Sequence, residues 1–325
     1  HLSIRRQRQM CIRDSHYDVE EFLDTKKVNA DEDLRLSTIS TGLIVPAKFF
    51  ELAKEGKDFH MFAPHTIYNE YGVTLDDIDL DAYYDELVAN PNVDKKKKDA
   101  REMLNTIAQT QLQSGYPYLM FKDNANKVHA NSNIGQIKMS NLCTEIFQLQ
   151  ETSIINDYGT EDEIKRDISC NLGSLNIVNV MESGKFRDSV HTGMDALTVV
   201  SDEANIKNAP GVRKANSELH SVGLGVMNLH GYLAKNKINY ESEEAKDFAN
   251  TFFMIMNYYS LERSMEIAKE RGEVYKDFDQ SDYANGKYFD FYTSQSFEPK
   301  YDKVSRLFDG LEIPTPEDWL SLIHI

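Results

Sequence analysis

From His16 onward, apolar positions recur in two alternating rhythms, a helical one at every third or fourth residue and a shorter extended one. No Ser/Gly/Pro-rich linker and no repeat of fixed period interrupts them. The alternation predicts an α/β architecture. Leu34 to Val45 reads as strand-rich, and Pro46, suited to a first helical turn, opens a helix over Ala47 to Lys54 that Gly56 ends. Phe59 to Phe62 reads as a short strand. The clearest helix runs from about Asp94 to Ser114, with Ala100, Met103, Leu104, Ile107, Ala108 and Leu112 spaced to bury one face and Gly115 as its stop. Tyr118 to Phe121 then reads as a strand, and Lys122 to Lys138 as a polar, Asn-rich loop.

A second extended stretch is expected over Ile168 to Met181, and a helix over Lys185 to Ala204 through Val190, Met194 and Leu197. Ser242 can cap a long helix reaching Arg271, with Gly272 past its end. Its stripe of Ala245, Phe248, Ala249, Phe252, Phe253 and Met256 reads as core packing. Tyr83-Tyr84 and Tyr258-Tyr259 read as residues of helix faces. Gly223-Leu224-Gly225 lacks the third glycine and acidic follower of a dinucleotide fingerprint, so it reads as close backbone packing.

Composition narrows the function. The net charge of −17 argues against a general nucleic-acid binder, which holds phosphates on a basic face. The main basic cluster, Lys95 to Lys98, sits where a helix is predicted to open and reads as a solvated helix end. No apolar run approaches the ~18 residues that span a bilayer. Cys11, Cys143 and Cys170 form no C-x-x-C pair, and the nine histidines, His65, His129, His220 and His230 among them, lack zinc-site spacing. No bound metal is expected, and a reducing, cytoplasmic setting is. Residues 1–15 carry four arginines against the single Asp14 without apolar periodicity. They resemble translated sequencing adaptor and are expected to be a non-native or disordered leader, which makes Cys11 foreign. Residues 320–325 are expected to be a non-native tail, leaving 16–319 as the domain.

Asn141, Cys143 and Glu145 stand at i, i+2 and i+4 after the polar loop. In an extended segment all three would project to one side, giving a hydrogen-bonding amide, a redox-capable thiol and a base. The competing reading makes Cys143 a small buried hydrophobe and Glu145 a solvent-facing acid.

The run Ser140-Asn141-Leu142-Cys143-Thr144-Glu145-Ile146 resembles the finger-loop motif of ribonucleotide reductase large subunits, whose active-site signature is Asn-x-Cys-x-Glu. Ile168-Ser169-Cys170-Asn171-Leu172-Gly173-Ser174-Leu175-Asn176 is similar to the family segment holding one of two reducing cysteines. Cys170 follows Cys143 by 27 residues, as in the class Ib subgroup. The likeness runs from about His16 to Trp319 and includes GYPYLMFKDNAN, VGLGVMNLHGYLA and the long DFANTFFMIMNYYSLERSMEIAKERG helix.

The resemblance implies part of a ten-stranded α/β barrel built from two half-barrels, with the Cys143 loop at its centre. It implies reduction of ribonucleoside diphosphates to deoxyribonucleotides for DNA synthesis: a thiyl radical on Cys143 takes the 3′ hydrogen, Glu145 takes the 3′-hydroxyl proton, Asn141 holds the sugar hydroxyls, and Cys170 with a second cysteine supplies electrons. The two sulfurs of Cys143 and Cys170 should line one pocket, a substrate's width apart and not bonded to each other. The upstream cysteine, effector-binding loops, substrate-phosphate loop, relay tyrosines and cysteine tail of the family find no counterpart here, so this chain by itself is expected to be inactive. No cofactor is expected on it. Implied partners are a small subunit whose dimetal-tyrosyl centre makes the radical, a glutaredoxin- or thioredoxin-like reductant, nucleotide effectors, and a second copy of the full-length protein. A cobalamin-dependent reductase, and a non-catalytic effector-binding or assembly module, are the alternatives.

Overall fold

The computed structural model describes residues 9–30, 33, 35, 36, 38–156, 159–204 and 206–322. They form two compact units: one takes in the residues up to 129 together with 135–151, the other residues 130–134 together with everything from 152 onward.

In chain order the first unit contains β1 (Gln9–Arg13), α1 (Val19–Asp24), β2 (Ser40–Ile44), α2 (Ala47–Glu55), β3 (Asp58–Phe62), α3 (Pro64–Tyr71), α4 (Leu80–Ala89), β4 (Lys95–Asp99), α5 (Ala100–Ser114), β5 (Tyr118–Met120) and α6 (Lys122–Val128). β1, β2 and β5 make a parallel sheet in that order, with Gly42 between Cys11 and Tyr118. β3 and β4 pair antiparallel, Phe59 opposite Lys98 and Met61 opposite Lys96. Phe49, Phe59 and Phe62 are fully buried in the core these elements enclose, each worth about 1.5–3 kcal/mol over an exposed ring. The Phe59 ring stacks on Tyr84 at 5.6 Å.

Three expectations for this unit are corrected. Lys95 to Lys98 form β4 rather than a helix start, because Asp99 caps the helix behind them by accepting from the Arg101 and Glu102 amides at 2.9 Å. Three of the four ammonium groups are met by acids, Lys98 by Glu20, Lys96 by Glu21 at 3.6 Å and Lys97 by Asp58 at 2.5 Å, while Lys95 donates to the Leu87 and Asn90 carbonyls at 3.2 and 2.6 Å. The buried line of α5 runs through Ala100, Met103, Ile107 and Thr110, while Ala108 and Leu112 face solvent. A threonine thus takes the place the apolar count gave to Leu112. The polar stretch from Lys122 begins as helix α6 and becomes loop only after Val128. Leu34 and Ser37, in the predicted strand-rich stretch, lie outside the described residues; the strand itself is Ser40–Ile44.

The second unit contains β6 (Leu172–Asn176), α7 (Ile177–Ser183), α8 (Phe186–Glu203), α9 (Pro210–Leu219), β7 (Gly223–Met227), α10 (Leu229–Lys235), α11 (Glu243–Arg271), α12 (Asp290–Thr293), α13 (Asp302–Ser305) and α14 (Pro316–Ser321). β6 and β7 are parallel neighbours. A Cβ at Gly223 would lie 2.7 Å from the Leu172 side chain, the close approach expected of that glycine pair. α11 is capped in front by Ser242, whose Oγ accepts from the Ala245 amide, and behind by Gly272 with φ 67°. Phe248, Phe252, Ile255 and Met256 are buried along it and α8 packs against it; Phe253, counted in the stripe, points outward.

Residues 130–134 are strapped onto the second unit. The Asp282 amide donates to the Ala130 carbonyl at 2.7 Å, the Tyr275 hydroxyl to Asn131 Oδ1 at 2.7 Å, and Asn133 Nδ2 to the Gln280 carbonyl at 3.2 Å.

The mixed α/β class agrees with the sequence pattern. Among the described residues the strands form three separate sheets and do not close into a barrel. Residues 9–13 of the stretch read as a leader are the edge strand β1, and Asp14 and Ser15 behind it are buried; residues 1–8 lie outside the described ones. At the other end, Leu320 and Ser321 complete α14 and Leu322 is buried, whereas 323–325 lie outside the described residues. Among the described residues no helix is long and apolar enough to cross a membrane.

Candidate active site

The segment from Met139 to Gln150 has no regular structure, so its shape must come from side chains. At its base, Gln150 Oε1 accepts from the Met139 amide at 3.1 Å and Gln150 Nε2 donates to the Met139 carbonyl at 2.6 Å, imitating a strand pair. The buried Ser140 donates its hydroxyl to the Ile146 carbonyl at 2.7 Å. Inside that ring the Asn141 carbonyl accepts from the Thr144 amide at 3.0 Å, and its Oδ1 accepts from the Glu145 and Ile146 amides at 3.1 and 3.0 Å. Thr144 closes the turn at φ 64°.

This geometry corrects the extended reading of the motif. Asn141, Cys143 and Glu145 lie on a tight turn, not on alternate positions of a strand, because two backbone amides of the loop find their acceptor in the Asn141 side chain. The turn lifts Cys143 into solvent at its tip, and Glu145 is exposed beside it, so the buried-hydrophobe reading of the cysteine does not hold. With Oδ1 committed to the loop, Asn141 keeps Nδ2 as the group that can donate to a ligand. Upstream, Asn126 in α6 pins the loop's approach by exchanging two 2.9 Å hydrogen bonds with the Ile137 backbone.

One neighbour was missed. Strand β5 carries Tyr118, whose ring lies 5.1 Å from that of Tyr116. The Tyr118 phenol is held above its ordinary value, first by lost solvent and then by Tyr116, with smaller contributions from Cys143 and Glu145. Tyr118 opens the predicted strand Tyr118 to Phe121, but no local signal in the sequence places it beside Cys143. Tyr116 in turn meets Ser40 at 3.2 Å and lies under the Lys26 ammonium at 4.5 Å.

Cys170 belongs to the second unit, and its support differs. Its flanking residues are buried: Ser169 donates to Asn216 Oδ1, and Asn171 Nδ2 is within 2.9 Å of both Ser169 Oγ and Asn216 Oδ1 and 3.0 Å of the Ser221 carbonyl. The Asn171 carbonyl accepts from the Gly223 amide at 2.8 Å, which ties this corner to the start of β7. Between two buried anchors, Cys170 itself is turned outward and exposed. A Ser-Cys-Asn run before a strand is therefore legible as a cysteine held by its neighbours.

Among the described residues one group could gather metal-ligating atoms: His191, Glu262 and Glu266, within 4.8 Å of one another. Arg187 already meets Glu262 at 2.7 Å and Arg263 meets Glu266 at 3.0 Å, so these carboxylates are neutralised in an ion-pair network between α8 and α11.

Comparison with known proteins follows the same line. Residues 5–324 match the family model described as ribonucleotide reductase, barrel domain. The chain is 55% identical over 307 residues to the ribonucleoside-diphosphate reductase subunit alpha of Bacillus subtilis, covering 94% of this chain and 44% of that protein. It is 43% identical over 313 residues to the protein of the same name from Mycoplasma pneumoniae, covering 94% and 43%, and 28% identical over 292 residues to the one from Treponema pallidum, covering 84% and 34%. The chain thus spans less than half the length of these curated relatives.

Proposed function

The chain belongs to the ribonucleotide reductase barrel-domain family, and from that premise we propose that it forms part of a catalytic subunit which reduces ribonucleoside diphosphates by thiyl-radical chemistry. The observation that carries the reading is an exposed thiol at the tip of a loop whose turn is made by Asn141 and whose next acid is Glu145. A loop pinned by its own side chains holds reacting groups in register without a lid or a helix end.

In the proposed reaction a hydrogen atom leaves the Cys143 thiol toward a radical generated in a small partner subunit. The sulfur radical takes the 3′ hydrogen of the ribose, and the Glu145 carboxylate takes the 3′-hydroxyl proton as the 2′-hydroxyl departs as water. Asn141 Nδ2 donates to a sugar hydroxyl. Cys170 and a second thiol give up two hydrogens and end as a disulfide, which a redoxin must reduce; Cys143 returns the 3′ hydrogen. Tyrosyl-dimetal chemistry stays with the partner subunit, and effectors act on the full-length protein. The class Ib subgroup, the half-barrel arrangement with residues 16–319 as its domain, and a shared pocket for the Cys143 and Cys170 sulfurs belong to the same proposal.

The test uses the full-length protein with its partner subunit and a thiol donor. Cys143→Ser should abolish formation of deoxyribonucleoside diphosphate while leaving substrate binding in place. Retained turnover would favour a non-catalytic assembly module instead. The 325-residue chain alone, given the same additions, should produce no deoxyribonucleotide.

A further inference from the structure

In the second unit six oxidisable rings follow one another in contact. Tyr283 lies 4.5 Å from Tyr288, Tyr288 5.7 Å from Tyr292, and Tyr292 stacks on Trp319 at 4.0 Å and 13°. Trp319 continues to Tyr258 at 5.2 Å, and Tyr258 to Tyr259 at 5.4 Å. Phenylalanine would fill this volume as well and needs no polar partner. What the phenols and the indole add is the ability to lose an electron to an oxidant, and ring contact at these distances is ample for electron hopping.

The series also has a direction. Trp319 is fully buried, whereas Tyr292, Tyr288 and Tyr283 are partly exposed. Asn257 Nδ2 donates to the Tyr288 and Tyr292 hydroxyls at 3.0 and 2.9 Å, and the Tyr288 hydroxyl reaches back to Asn257 Oδ1 at 3.4 Å. One carboxamide therefore bridges the phenol stacked on Trp319 and the phenol next to it in the series. An oxidised phenol must shed its proton, and the partly exposed members of the chain are the ones that can pass it to water. A neutral phenoxyl radical formed there lies below an indole radical in energy at neutral pH.

We propose that this chain of rings drains oxidising holes from the core of the second unit: a vacancy on Trp319 moves to Tyr292 and rests on the Tyr288–Tyr292 pair. The step balances simply. Trp319, oxidised by a one-electron oxidant, regains an electron from the Tyr292 ring; Tyr292 releases its phenolic proton to water and becomes a neutral radical. A thiol reductant in solution returns a hydrogen atom to the phenoxyl oxygen and leaves as a thiyl radical. The inference rests on ring geometry and is independent of the reductase chemistry proposed for Cys143.

The 325-residue chain contains a single tryptophan, which makes the test specific. A laser flash at the red edge of the indole absorption, with an electron scavenger present, places the vacancy on Trp319 alone. In the wild-type chain the indole-radical band should decay as a phenoxyl-radical band rises. Tyr292→Phe, which keeps the ring and the packing, should lengthen the indole-radical lifetime at least about tenfold, equivalent to ~1.4 kcal/mol in the barrier. Tyr288→Phe should leave the first transfer fast and lower the yield of the long-lived phenoxyl radical. Wild-type decay with no phenoxyl band overturns the proposal without recourse to any variant. Equal indole-radical lifetimes in the wild type and a folded Tyr292→Phe, checked by near-ultraviolet circular dichroism, overturn it as well.

Discussion

The two exposed cysteines, Cys143 in the first unit and Cys170 in the second, are presented to solvent by opposite means. Around Cys143 the supports are local: Ser140, Asn141 and Gln150 all bond within the twelve residues from 139 to 150. Around Cys170 they are distant in sequence, since Asn171 and Ser169 reach Asn216 and Ser221 some 45 to 50 residues on. A locally pinned loop can be damaged without unfolding the unit around it, whereas a corner pinned by tertiary bonds fails together with its core. The difference separates tests of chemistry from tests of stability.

The sharpest break should come at the loop tip. Cys143→Ser in the full-length protein is expected to cut nucleoside-diphosphate reduction by at least about a thousandfold, the scale of losing a group used only in the transition state, with the melting temperature unchanged; a steady-state product assay and calorimetry read the two halves. Next is Asn171→Ala in the corner beside Cys170. Removing a buried amide whose two hydrogens are shared among Ser169, Asn216 and the Ser221 carbonyl takes a donor from a buried cluster and should cost about 1–3 kcal/mol of stability, seen as a lower denaturant midpoint. Asn141→Ala sharpens the contrast. It removes the acceptor of two partly solvated amides, so it should lower activity by about ten- to a hundredfold while costing only about 1 kcal/mol in stability. A loss of stability as large as that of Asn171→Ala would contradict the idea that this loop is supported locally.

The last test concerns pH. Lys122, at the start of the helix whose Asn126 pins the loop's approach, is buried and donates to the Asp76 carbonyl; burial lowers its pKa from 10.5 to about 8. The unfolded chain then binds more protons than the folded one between those values, so this lysine makes stability rise as pH increases from about 8 toward 10.5. Denaturant titrations should show that rise in the wild type and a flatter profile in Lys122→Met. A steeper rise in the variant would exclude Lys122 as its source.

Much of this was legible in the residues. The long helix was read from Ser242 to Gly272 because a cap, a stripe and a glycine stop agree, and each of these signals is local. The motif pair containing Asn141, Cys143, Glu145 and Cys170 was legible through resemblance, and the exposure of both thiols suits it. The turn at Asn141 was not: alternation assumes an extended backbone, and nothing in the spacing reveals that an asparagine oxygen will recruit two amides. The Lys95–Lys98 strand escaped notice because its pairing with β3 and the acids of α1 come from distant sequence. Tyr118 was missed for the same reason, since its neighbourhood with Cys143 is tertiary.

The strap at 130–134 has a practical corollary. Because those five residues lie with the second unit while the chain on both sides belongs to the first, no single cut yields either unit as an unbroken polypeptide. A gene fragment ending near residue 151 would carry five residues stripped of Tyr275, Gln280 and Asp282, the groups that hold them. Domain dissection of this protein must therefore leave that crossing intact or replace it with a linker of equal reach.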